Sequence, residues 1–366
     1  GVQLADAADG ALADVAVDAG EPDAGAPAVL WDMTMIADPT NANCTFDNEQ
    51  IVVSDGVKVK TWGLSYVSWE SVDGKLQPIL IHGHAAHRLD SAGKLPGVVS
   101  LHDIDGAADL AAAVSLAVDV GVFAVSYSGP GAGQGPTKSQ GLPASHQGGK
   151  RLYDVIPDTR GSWFWAHTVA GMRAITCMES HKEVNPLKFA ATGRGFGGAL
   201  AMLMAGVDPR FKVAVPVGGS LGWAAAVTSP KSWHHNLLAK AGYTVQDPHW
   251  TKLIDEMIKP AASIAGKNLL ALLVNGTSDP YFPINAHMVT FGALPWNARR
   301  HSLVGNWDKG CYLTAKIEDP TVIAARAAQR ARGGVNAWLR SMLGTDPDYW
   351  YLPMTPTMIF YGTNYR

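Results

Sequence analysis

An α/β fold with a mostly parallel central sheet flanked by helices is what the sequence predicts, and three observations carry the expectation. Apolar runs at 97–102, 121–127, 188–192, 211–217 and 269–274 have the length and continuity of strands buried on both faces of a sheet. Segments of helical spacing alternate with them, most clearly 161–180, where Trp163, Val169, Met172, Ile175 and Met178 recur on one face. Finally, strand 188–192 runs through a glycine-rich turn at 193–198 straight into an apolar helix at 199–206.

Taken in order, the chain opens on 1–28, which holds six acidic residues, no basic ones and no aromatic side chain to bury. It reads as a flexible acidic leader of the kind that follows the processing site of an exported or lipid-anchored bacterial protein, and a glycine start fits a chain given after cleavage. An ordinary disordered terminus is the alternative. The runs 50–54 and 57–64, split by Ser54-Asp55-Gly56, form a hairpin pattern, and 78–82 is a further strand. A helix is expected at 107–118, and strand 121–127 ends in the turn Gly129 to Gly135. Asn185-Pro186 is expected to break the 161–180 helix before strand 188–192. A Trp- and His-rich excursion at 220–265 reads as a cap inserted between sheet strands, within one domain spanning 29–343. Strand 300–304, a closing amphipathic helix at 321–343 and an aromatic tail at 344–366 complete the chain.

Of 366 residues 47% are hydrophobic and 17% charged, enough apolar surface for a sizeable core. Net charge is −3 with no run of Lys and Arg, which excludes nucleic acid as a partner. No uninterrupted apolar stretch is long enough to span a bilayer as a helix. Cys44, Cys177 and Cys311 have unrelated spacings, which excludes a CxxC motif; one disulfide is an alternative, and three small unpaired apolar residues is the preferred reading.

The turn reads Gly193-Arg194-Gly195-Phe196-Gly197-Gly198 in a strand–turn–helix setting. That is the setting of the nucleophile elbow, Gly-x-Ser-x-Gly, where small neighbours let a strained backbone pass. With Pro96-Gly97-Val98-Val99, Gly171-Met172-Arg173-Ala174-Ile175-Thr176, Asp208-Pro209-Arg210-Phe211-Lys212 and Asn275-Gly276-Thr277-Ser278-Asp279-Pro280-Tyr281-Phe282-Pro283, the chain resembles the α/β-hydrolase superfamily. Within it, 94–343 looks like the acetyl xylan esterase and PhoPQ-activated-protein type. The resemblance implies an ester hydrolase with a serine at the elbow, but Gly195 stands there. It puts the acid at Asp279 and the histidine where Asn306-Trp307-Asp308-Lys309-Gly310 has Lys309. It puts the oxyanion donors at the Phe196 N–H and in the turn His102-Asp103-Ile104-Asp105-Gly106, where the Asp103 carboxylate would repel a developing oxyanion.

Glycine has no atom that can attack a carbonyl, and lysine, with an ordinary pKa near 10.4, cannot relay a proton at neutral pH as imidazole does. Asp279 and Lys309 are instead expected to form a salt bridge. Thr192, Ser220 and Ser278 are the alternative nucleophiles near strand ends. The literal Gly-x-Gly-x-x-Gly at 193–198 lies mid-chain and lacks the acidic residue of a dinucleotide site, so no cofactor is implied. His82, His84 and His87 are weak metal candidates, and His234-His235 are weaker still. Trp223, Trp233, Trp250 and Trp307 are candidates for a pocket wall, against ordinary core packing.

The expected function is that of a catalytically degenerate, exported hydrolase-like protein, a binding or assembly component for a small-molecule or carbohydrate ligand or for its own copies. One alternative is a working esterase or deacetylase with an unrecognised nucleophile, or one whose catalytic residues have been replaced. The other is a structural subunit of an extracellular assembly, with the leader or the tail packing on a neighbour.

Overall fold

Two Asp-Gly pairs start the sheet. In the computed structural model, which describes residues 29–147, 149–259, 269–304 and 320–345, Asp55 and Gly56 have φ of 50° and 77° and Asp73 and Gly74 have 51° and 76°. Positive φ at both central residues is the twist that joins two antiparallel strands through a two-residue turn. The turns link β1 (Thr45–Ser54), β2 (Val57–Val72) and β3 (Lys75–Arg88) into an antiparallel meander. The hairpin read at 50–64 is therefore present. Its second strand and the strand read at 78–82 run longer than expected, because β2 and β3 pair along their whole length from Val59 to Val72.

Beyond β3 the sheet turns parallel. It contains β4 (Leu95–Leu101), β5 (Phe123–Tyr127), β6 (Val184–Arg194), β7 (Phe211–Val217), β8 (Leu270–Gly276) and β9 (Arg299–Val304), in the order β1-β2-β3-β5-β4-β6-β7-β8-β9. Every pair from β5 to β9 is parallel, and β3 meets β5 antiparallel. The predicted fold class is the observed one. Alternate residues serve opposite faces. Val98, Ala124, Ala190, Val213 and Val215 pack with α2 (Leu110–Val120) and α9, the last described helix (Pro320–Leu343). Val99, Val125, Phe189, Ala191 and Ala214 pack with α3 (Trp163–Ser180) and α4 (Phe196–Val207). Strands covered on both sides carry no polar alternation, which is why they read as continuous apolar runs.

Local signals set the helix ends. Asp109 caps α2 by accepting from the Ala112 N–H at 3.1 Å, and Gly121 closes it at φ 76°. The helix starts three residues after the predicted 107, since the Ala108 and Asp109 N–H groups bond the hydroxyls of Ser128 and Ser126 instead. Helix α3 ends at Ser180, and Asn185-Pro186 lie inside β6, where the register with β4 shifts, rather than acting as the helix stop. Between β7 and β8 the chain forms α5 (Trp223–Ala226), α6 (Trp233–Lys240) and α7 (Pro248–Lys252), which runs on into a π-helical turn at Leu253–Ile258. Helix α8 (Ile284–Ala293) follows β8. The leader 1–28, Cys311 and all but the first two residues of the tail lie outside the described residues.

The preferred reading of three unpaired cysteines is overturned for two of them. Cys44 and Cys177 form a disulfide with Cα atoms 5.6 Å apart across 133 positions. Spacing could not reveal the pair, because the partners meet only once α3 packs against β2. The neighbouring anchor is Arg173, fully buried in α3. Its guanidinium donates to the carbonyls of Val67, Met35, Ile36 and Asp38 and to Asn41 Oδ1 at 2.6–3.2 Å, and lies 4.4 Å from the Trp69 ring. It thereby ties the short α1 (Met33–Ile36) and the chain leading into β1 to the core.

Two stability outcomes are expected. Cys44→Ala/Cys177→Ala loses about 2–5 kcal/mol, the cost of freeing a long unfolded-state loop, read as a drop in the urea midpoint under non-reducing conditions. Arg173→Met leaves several buried carbonyls without a donor and loses about 3 kcal/mol or more in the same titration. A midpoint unchanged from the parent would contradict either account.

Candidate functional site

β4 and β6 are neighbours in the sheet although β5 lies between them in sequence. The chain winds one way after β4 and the other way after β6. A crevice consequently opens at their carboxyl ends, where open α/β sheets place their ligands.

The register sets Leu101 beside Gly193 at that end. The chain then turns through Gly195, at φ 55° and ψ −120°, before α4 begins at Phe196. A Cβ on Gly193 would lie 2.6 Å from the Gly197 backbone, and one on Gly197 would lie 2.5 Å from the carbonyl oxygens of Leu101 and His102. Both positions must therefore be glycine, the packing reason for the two outer glycines of the motif. The Gly195 N–H donates to the Val217 carbonyl at 2.9 Å, which holds the turn against β7.

Asp103 meets this turn from the end of β4. Its Oδ1 accepts from the N–H groups of Phe196 and Ile104, each at 2.9 Å. A Cβ added to Gly195 would lie 2.6 Å from Asp103 Oδ2 and 2.8 Å from Cγ. The carboxylate thus stands against the apex and takes up the first N–H of α4. Gly195, Phe196 and Asp103, three of the residues singled out in the sequence, are brought together.

His102 fixes the same loop from below. Its Nε2 accepts the Gly129 N–H at 2.9 Å, so the ring proton sits on Nδ1, 2.6 Å from the Asp103 carbonyl. Burial lowers its pKa and keeps it neutral. The His167 ring lies 4.9 Å away, fully buried between Trp163 and Tyr127, and burial drives its pKa well below the ordinary value. Sequence reading passed over His167; its one signal is the i+4 position from Trp163 on the buried face of α3.

Asp279 follows β8 and is 3% exposed. Its Oδ1 accepts from the N–H groups of Tyr281 and Phe282 at 2.7 and 3.0 Å, which folds that loop. Tyr281 and Phe282 line a cleft of about 340 Å³ together with Asp103, Phe196 and Trp233. Across the Ile104–Gly106 turn a wider cleft of about 690 Å³ is lined by Trp163, Trp233, Gln134, Thr137 and Lys240, among others. Lys309, Asp308 and Trp307 lie outside the described residues, and so does the expected Asp279–Lys309 salt bridge.

The other candidates fall elsewhere. Thr192 Oγ1 donates to the Val215 carbonyl at 2.9 Å, Ser220 is fully buried and Ser278 is exposed. His82 and His84 share one face of β3, whereas His87 lies on the other, stacked on Trp62 and Phe123 with Nε2 2.6 Å from Glu183. Strand alternation alone separates it from the other two. Among the described residues no group of three or more His, Cys, Asp or Glu side chains could hold a metal ion. Trp223 and Trp250 are core residues at 1% and 4% exposure, and of the described tryptophans singled out only Trp233 lines the clefts. His235 is exposed. His234 is buried against Trp223, Trp233 and Phe282, with Nδ1 2.9 Å from the Tyr281 carbonyl, and it joins α6 to the loop of Asp279.

Burial pushes the pKa of His234 down to about 3 and that of His287, with His301 nearby, down to about 4. Unfolded histidine titrates near 6.5. The unfolded chain therefore binds more protons below that pH, and stability falls as pH drops from about 6.5 toward 4 and, through His234, toward 3. The expected slope is about 1.4 kcal/mol per pH unit for each histidine. Chemical denaturation between pH 7 and 4 measures it, and His287→Leu should flatten the profile.

A scan of protein-family models gives no match to this chain, and a search of curated proteins gives none either. Solved structures do match. Acetyl xylan esterase 1 from Thermoanaerobacterium sp. JW/SL YS485 superposes with a TM-score of 0.55 at 15% identity, over 81% of this chain and 92% of its own. An acetyl xylan esterase from Paenibacillus sp. R4 gives 0.58 at 16% identity, over 82% and 91%. A puromycin-hydrolyzing peptidase of Mycobacterium tuberculosis gives 0.52 at 13% identity, over 83% of this chain and 48% of its own. Sheet order, the β6–α4 turn and these superpositions together give the chain the fold of the α/β-hydrolase superfamily, with glycine at the apex of the turn.

Proposed function

We propose that this protein is a catalytically degenerate member of the hydrolase-fold group that works outside the cytoplasm as a binding or assembly component. The observation that carries the reading is the apex at Gly195, which offers no nucleophile and has the Asp103 carboxylate against it. Covalent acyl transfer needs an attacking atom at that point and empty donors for the oxyanion. Lysine at position 309, where the resemblance puts a histidine, supports the same reading. Two of the three alternative nucleophiles are withdrawn from the site, Thr192 being bonded into the sheet and Ser220 sealed in the core.

The ligand class follows from the walls that remain. Trp233 and Tyr281, rings 5.8 Å apart and tilted by 31°, offer flat apolar surface beside polar groups, the chemistry that holds a sugar ring. Two structural neighbours are named as acetyl xylan esterases, and a neutral carbohydrate is accordingly the ligand class we assign. The Cys44–Cys177 disulfide supports export, because such bonds persist in oxidising compartments.

The test is hydrolysis of p-nitrophenyl acetate and of acetylated xylan by the unmodified chain. The expected rate is that of buffer alone. Robust turnover that saturates with substrate would defeat the reading and return the protein to the esterases.

A further inference from the structure

The structure assigns to Asp103 the role of resident occupant of the oxyanion cradle: its carboxylate fills the N–H donors of Phe196 and Ile104 and so determines that the cleft excludes anions and ester carbonyls. The inference rests on the proposed function and adds a residue that sets its specificity.

The first N–H groups of a helix have no partner within it and carry partial positive charge. In this fold that charge is where a developing oxyanion is stabilised. Here one carboxylate oxygen receives the first N–H of α4, from Phe196, and the Ile104 N–H of its own turn, each at 2.9 Å, and hydrogen bonds to an ionised acceptor are the strong ones. An incoming carboxylate, phosphate or polarised ester oxygen finds the donors taken and a like charge in its path.

A second geometric fact makes the arrangement a matched pair. The Asp103 Oδ2, Cγ and Oδ1 atoms all lie within 2.8 Å of the place a Cβ at 195 would occupy. A side chain at the apex would push this carboxylate from its present position. Gly195 leaves the room and Asp103 fills it. The two departures from the family pattern, 92 positions apart in sequence, are one structural change. A neutral ligand on Trp233 and Tyr281 is unaffected, since those rings line the cleft without using the cradle.

Formate, a carboxylate with nothing attached, is the probe. Thermal melting is followed in formate and in chloride of equal ionic strength for the parent, Asp103→Ala and Asp103→Asn. Asp103→Ala is expected to melt below the parent and to regain about 2 °C at saturating formate, with no matching gain in chloride. The parent, its cradle already filled, does not respond. Asp103→Asn keeps an accepting oxygen and does not respond either. Should Asp103→Ala fail to fold, Asp103→Ser, whose shorter side chain leaves the cradle open, is melted in its place with the same expected gain and the same overturning result. Formate stabilising the parent or Asp103→Asn, or leaving a folded Asp103→Ala unchanged, overturns the inference. Ester hydrolysis by the parent would instead defeat the proposed function, so the two failures read separately.

Discussion

The close approach of β4 to the β6–α4 turn is the constraint on which the rest of the site depends. Two backbones pass so tightly that residues 193 and 197 have no room for a Cβ. That proximity lets a side chain at the end of β4 reach the first N–H of α4. It also buries α4 between the sheet and α3, which is why nearly every residue of that helix is apolar. Had either glycine been larger, the helix would stand off from the sheet and the cradle would open to water.

Around this centre the core is pinned by a few buried charges rather than by apolar packing alone. Arg173 draws the N-terminal segment onto α3. Arg210 bonds Asp208 and Glu179 and also reaches Thr176 and the Met172 carbonyl, so two motifs that carried the family resemblance touch each other. Glu70 and Arg151, each 4% exposed, hold the loop beyond β5, with the Leu142 N–H donating to Glu70 at 3.0 Å. Breaking such a pair strands an uncompensated charge, which is costly even where the intact pair adds little. The family resemblance thus rests largely on scaffold. It speaks to shape more than to chemistry.

The site itself is electrostatically settled. His102, His167 and His234 are held neutral by burial, and the positive end of α4 faces a carboxylate. Active hydrolase sites keep their donors empty and their bases poised for a proton.

By itself the sequence determined the strands of the parallel sheet, the glycine-rich turn after β6 with Gly195 at its apex, and an acidic residue, Asp103, in the turn after β4. Each is a local property: a run buried on both faces must be continuously apolar, and an elbow needs its glycines wherever the chain goes next. Tertiary structure decided the rest. Only folding brings Cys44 to Cys177, and buries Trp223 while leaving Trp233 on the cleft. The relation between Asp103 and Gly195 belongs to the same class. Its sign, repulsion of an oxyanion, is readable from charge, but occupation of the cradle is a matter of ångströms between strands distant in the chain, and no pattern of spacing encodes that.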